Sequence, residues 1–123
     1  MSRITVVGSL NLDLVVRAPR FAAPGETISG RSFITAAGGK GANQALAARR
    51  LGADVAMIGR VGDDGFGREL REGLDSEGVD TRHVAITPAT ATGVALIPVD
   101  DSAENTIVVV AGANAALTPH DVS

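Results

Sequence analysis

Two polar side chains interrupt an otherwise apolar stretch near the start of the chain, Asn11 and Asp13 in Gly8-Ser9-Leu10-Asn11-Leu12-Asp13-Leu14-Val15-Val16. Strand alternation puts both on one face. They follow the apolar run Ile4–Val7, which reads as a core strand, and the carboxyl end of such a strand is where open α/β sheets bind ligands. A carboxylate accepts two or more hydroxyl hydrogens, and an amide both donates and accepts, so the pair suits vicinal sugar hydroxyls better than phosphate. Turn chemistry would account for Asn11 equally well, but it accounts poorly for Asp13, an isolated carboxylate among aliphatics that asks for a partner.

A second candidate is the run Gly38-Gly39-Lys40-Gly41-Ala42-Asn43. It joins a strand to a helix, so its glycines can let the backbone approach a ligand while Lys40 and Asn43 present polar heads beside a helix amino terminus. Lys40 is the only lysine, the other ten basic residues being arginine. The run is not a phosphate-binding Walker loop, because Ile34 stands where the first glycine belongs and Gly41 follows the lysine. A flexible strand-to-helix turn would use the same glycines, so composition alone leaves both readings open.

Other chemistry finds little support. His83 and His120 lie 37 positions apart, and no metal site is expected from them. Ser9 has no neighbouring general base and does not sit in a nucleophile elbow. The formal net charge of -3 gives no basic footprint for nucleic acid. The chain has no cysteine, which suits a reducing cytoplasm. No signal-like leader or membrane-spanning run is read in it.

The elements that must position these residues follow from pattern. At 123 residues and 45% hydrophobic content the chain predicts one domain. With three aromatic residues, its core must be aliphatic. Ile4–Val7 predicts a buried parallel strand and Leu12–Val16 a strand leaving the core, followed by a turn at Pro24-Gly25. Glu26–Thr35 predicts a half-exposed antiparallel strand. Ala42–Leu51 predicts a helix stopped at Gly52, and Val55–Ile58 another buried strand. Asp63-Asp64 opens a helix with Phe66, Leu70 and Leu74 on its apolar stripe, ended at Gly78, and the two aspartates read as helix-start residues. Strand and helix in alternation define an α/β fold with a right-handed parallel sheet flanked by helices. Thr92–Val99 and Thr106–Val110 then predict a long hairpin, able to join the Leu12–Thr35 strands in a small separate sheet. Thr118-Pro119 with Asp121 reads as a helix start only a few residues before Ser123, which suggests a fragment of a longer domain.

Six sequence blocks also occur together in the order and spacing of a known family. They are Gly8-Ser9-Leu10-Asn11-Leu12-Asp13, Pro24-Gly25-Glu26-Thr27, Gly39-Lys40-Gly41-Ala42-Asn43-Gln44-Ala45, Val61-Gly62-Asp63-Asp64 with Phe66-Gly67, Thr92-Gly93-Val94-Ala95-Leu96-Ile97, and Ala111-Gly112-Ala113-Asn114. Through them the chain resembles the ribokinase branch of the PfkB carbohydrate kinases along its whole length. The resemblance implies a three-layer, Rossmann-like sheet with a small β-sheet lid, the lid strands falling within 12–36 and 92–110. It implies sugar binding by Asn11, Asp13, Gly39, Lys40 and Asn43, with Gly39 acting through its backbone. It also implies transfer of the ATP γ-phosphoryl group to the 5-hydroxyl of D-ribose, with Mg²⁺ on the nucleotide, activation by a monovalent cation, and a homodimer built on the lid.

The blocks that would supply the catalytic base, the anion hole and the nucleotide pocket do not occur in residues 1–123. The expectation is therefore an amino-terminal portion of one ribokinase-like domain, holding the sugar face and lid but no catalytic base. The competing expectations are another sugar or nucleoside kinase of the same family, and a non-catalytic module that dimerises through its lid strands.

Overall fold

A computed structural model describes residues 3–123. A three-stranded parallel sheet is ordered β1-β4-β5, built from β1 (Arg3–Val7), β4 (Asp54–Gly62) and β5 (Asp80–Thr87). A four-stranded sheet is ordered β3-β2-β6-β7, from β2 (Asn11–Arg17), β3 (Ser32–Gly38), β6 (Val94–Val99) and β7 (Val108–Val110). In this second sheet β2 runs parallel to β6 and antiparallel to β3, while β6 and β7 are antiparallel. Two helices, α1 (Lys40–Arg50) and α2 (Gly65–Ser76), connect β3 to β4 and β4 to β5. The architecture is thus an α/β parallel sheet with packed helices and a second, smaller sheet.

One continuous core joins Val6, Val55, Met57, Val61 and Val84 of the parallel sheet with Ala42 and Ala45 of α1 and Leu70 and Leu74 of α2. The alanines of α1 let that helix approach the strands closely, and Leu10 and Leu12, both fully buried, carry the core to the second sheet. Burying each such aliphatic side chain contributes roughly 1.5–3 kcal/mol before chain entropy is counted.

Several sequence expectations need correction. β1 is an edge strand of its sheet, and among its apolar residues Val6 is buried while Ile4 and Val7 are 37% and 46% exposed, so its apolar run does not mark a strand buried on both faces. The strand expected over Glu26–Thr35 begins at Ser32 and runs on to Gly38. Glu26 instead folds back locally, its carboxylate accepting from Ala23 N–H and gripped by the Arg20 guanidinium. β5 was not foreseen because a register shift opposite Ala56 and Ile58 breaks its alternation, leaving Thr81 and Val84 buried three positions apart. Phe66 is 40% exposed and lies off the buried stripe that Leu70 and Leu74 form. The announced terminal helix is a single 3-10 turn, Pro119–Asp121, closed by a Thr118–Asp121 capping box. That turn is anchored to β4, where Arg60 Nη2 and Nε donate to Asp121 at 2.6 and 3.1 Å.

Candidate sugar-binding site

The chain leaves the parallel sheet at Val7 and enters the second sheet at Asn11, so Gly8, Ser9 and Leu10 form the crossing between them. Gly8 N–H donates to Ile58 O, extending the parallel ladder by one residue, and the Leu10 side chain lies over Gly59. The first turn of α1 packs directly on this crossing, with Ala42 N–H donating to Ser9 O at 3.0 Å. Gly39, the residue before α1, has φ +91°, and a Cβ there would stand 2.7 Å from Ser9 O and 3.0 Å from Asn11 N. Only glycine lets the β3-to-α1 turn come this close.

Asp13 stands opposite Ala36 of β3 and Ala95 of β6, two small residues that leave room around the carboxylate. A Cβ on Gly38 would lie 2.6 Å from both of its oxygens. Half-buried, the carboxylate accepts no hydrogen bond from any other described residue, and burial pushes its pKa above the ordinary carboxylate value. Such a group is an acceptor in want of hydroxyl donors. Asn11 shares its strand face two residues earlier, and its Oδ1 accepts from Asn114 Nδ2 at 2.8 Å.

The fold therefore brings Asn11, Asp13 and the Gly38-Gly39 backbone together at the crossing. Lys40 and Asn43 lie exposed on the first turn of α1, one turn from Gly39, and neither side chain bonds another described residue. Two features were not assigned a role from sequence. Asn114 bonds both polar backbone groups of Leu10 as well as Asn11, and Thr92 ties the start of β6 to α2 through Asp64. The signal for Asn114 was present in the block Ala111-Gly112-Ala113-Asn114, but nothing local ties that block to a site some hundred residues earlier.

A nucleotide with its magnesium ion does not fit the described residues by themselves. Among them no group of three or more histidine or carboxylate residues could hold a metal, and the glycine run packs against Ser9 and Asn11 instead of opening a nest for phosphates. No helix of the described residues is long and apolar enough to cross a membrane.

A parallel sheet with packed helices, a second sheet rooted at its carboxyl edge and a hydroxyl-accepting pocket between them define a sugar-kinase type of architecture. The pfkB family carbohydrate kinase profile matches residues 1–123, and the chain belongs to that family. Within it the chain is similar to the ribokinase of Haemophilus influenzae, 47% identical over 115 residues that make up 94% of this chain and 38% of that protein. It is also similar to the deoxyribokinase of Salmonella typhi, 40% identical over 97% of this chain and 39% of that protein. Among solved structures, the ribokinase of Arabidopsis thaliana complexed with ribose and ATP superposes with a TM-score of 0.84 at 38% identity, covering 92% of this chain and 36% of that one. The chain thus spans about two fifths of the length of the curated relatives it matches.

Proposed function

We infer that the chain provides the sugar-binding face and the lid of an ATP-dependent ribokinase, which phosphorylates D-ribose on its 5-hydroxyl. The observation that carries this is the Asp13 carboxylate, half-buried, without a hydrogen-bond donor, beside Asn11 and over Gly38 at the mouth of the parallel strands. Asp13 is the main hydroxyl acceptor, Asn11 its companion, and Gly39 contributes through its backbone. Lys40 and Asn43 complete the pocket from the first turn of α1. The second sheet, with its strands within 12–36 and 92–110, acts as the lid over the sugar. The described residues supply no catalytic base, so the groups that hold Mg-ATP and a monovalent cation belong to other parts of the enzyme.

The same sheet carries the proposed dimer contact. Phe33, Ile34, Val108 and Val109 are each 58–60% exposed, and a second copy's lid would cover them in a cytoplasmic homodimer. The similarity to a deoxyribokinase favours a second reading of the substrate as the 2-deoxy sugar, and a panel of pentoses, hexoses and nucleosides distinguishes them.

Isothermal titration of D-ribose, with Asp13→Ala as the control, tests the sugar site. Saturable heat that disappears in the variant is expected, and indistinguishable heats would remove the assignment. A steady-state assay of residues 1–123 with ribose and ATP is expected to show no turnover, and measurable phosphorylation would overturn the assignment of transfer to other parts of the enzyme.

A further inference from the structure

Asn114 grips the frame of the site from a distant part of the chain. Its Oδ1 accepts from Leu10 N–H at 2.9 Å, while its Nδ2 donates to Leu10 O at 3.0 Å and to Asn11 Oδ1 at 2.8 Å. The two backbone partners settle which end of the Asn114 amide is which, since an N–H can only donate and a carbonyl can only accept. The end of Asn114 that meets Asn11 is therefore the NH2 group, and the Asn11 atom that receives it must be oxygen. This leaves the Asn11 NH2 group directed away from Asn114, on a side chain that shares its strand face with Asp13. A Cβ on Gly93 would come within 2.5 Å of Asn11 Oδ1 and would also strike Asn114 Nδ2, so the pair closes only over a glycine.

We propose that Asn114 is a positioning residue that locks Asn11 as a hydrogen-bond donor to the sugar, setting a fixed donor beside the fixed acceptor Asp13. The proposal rests on the sugar reading above and deepens it into a polarity code. The hydroxyl facing Asn11 must serve as an acceptor, and the hydroxyl facing Asp13 must serve as a donor. An unlocked Asn11 could turn either end to the ligand and would lose that discrimination.

Two measurements on the full-length protein test it. Without sugar, hydrogen exchange of the side-chain amides read by NMR should show a protected Asn114 NH2 and a faster Asn11 NH2. Equal exchange of the two would overturn the locked orientation whatever the sugar does. Titration with D-ribose and its singly deoxygenated and singly fluorinated analogues then reads the code, because fluorine accepts a hydrogen bond but cannot donate one. At one carbon the fluoro sugar should bind about 3–10-fold more tightly than the deoxy sugar, the worth of one hydrogen bond. At the carbon facing Asp13, fluorine should be no better than hydrogen.

In Asn114→Ala the fluorine advantage should vanish. Asn114→Asp keeps the acceptor for Leu10 N–H, lacks the donor, and should behave alike, so it carries the test if the alanine variant does not fold. An advantage that survives in a folded variant, or that is missing from the wild type at every carbon, overturns the proposal. Correctly oriented amides in a protein that binds no pentose would instead overturn the sugar reading and the donor role with it, leaving Asn114 as a brace of the crossing.

Discussion

Replacing Asp64 by alanine removes an acceptor used three times. Its Oδ1 receives Gly67 N–H at 2.8 Å, as the cap of α2, and also the Thr92 hydroxyl, while its Oδ2 receives Thr92 N–H at 2.9 Å. Thr92 is buried, and its own oxygen accepts from Gly62 N–H at 2.9 Å, so the network ties β4, α2 and the entry to β6 at one point. Loss of the helix cap costs about 1 kcal/mol. Stranding the Thr92 N–H adds about 1–3 kcal/mol, whereas the Thr92 hydroxyl can rotate to another acceptor. Asp64→Ala should therefore destabilise by about 2–4 kcal/mol in urea unfolding followed by circular dichroism at neutral pH.

Thr92→Val alone should cost about 1–2 kcal/mol, and the double variant about 1 kcal/mol less than the sum of the two, because both remove the same bond. Acid supplies an independent check. Burial opposes ionisation of Asp64, but the bonds from Thr92 and Gly67 outweigh it and hold the pKa below the ordinary value. The stabilisation is thus complete above the unfolded carboxyl pKa, about 3.9, and is lost as pH falls through the lower folded value. The gap between wild type and Asp64→Ala should narrow in acid. A loss under about 1 kcal/mol, strict additivity with Thr92→Val, or a gap that widens in acid would refute the reasoning.

Three other outcomes are expected. Gly73 lies inside α2 with no heavy atom within 4 Å of where a Cβ would stand, so Gly73→Ala should stabilise by about 1 kcal/mol in the same unfolding assay. Burial raises the pKa of Asp13, so its charge opposes folding above that pKa and ceases to do so as pH falls through it. Asp13→Asn should accordingly raise the thermal midpoint at neutral pH while abolishing ribose heat in titration. Asp121 is held at about 2, chiefly by the Arg60 guanidinium and then by Thr118 N–H. Its contribution should persist above pH about 3.9 and disappear as pH falls toward 2, and acid titration of Arg60→Ala should lack that phase.

The parts legible in the sequence were those where one local rule acts alone. Gly52 and Gly78, with φ of +98° and +89°, stop the two helices as C′ residues, and Asp64 caps α2. The Asn11 and Asp13 alternation predicted a shared face at a strand's carboxyl end, and the strand that carries them begins there. Legibility failed where a distant partner overrode the local pattern. β5 is bulged by its register against β4, and Glu26 prefers Arg20 to a ladder position. Phe66 has the spacing of a core residue, yet the helix turns it to the surface. Asn114 matters through bonds to Leu10 and Asn11 that span more than a hundred positions, which no window along the chain can display.

The reach of Asn114 back to Leu10, 104 positions earlier, also sets a timetable for biosynthesis. At ribosomal speeds of about 5–20 residues per second, Leu10 and Asn11 leave the peptidyl transferase centre roughly 5–20 seconds before the residue that braces them is made. During that interval the Leu10 peptide groups can rely only on water or transient neighbours, and the apolar strand beginning at Leu12 has no finished seat. Nascent chains stalled just short of Asn114 should be the ones that chaperones hold longest.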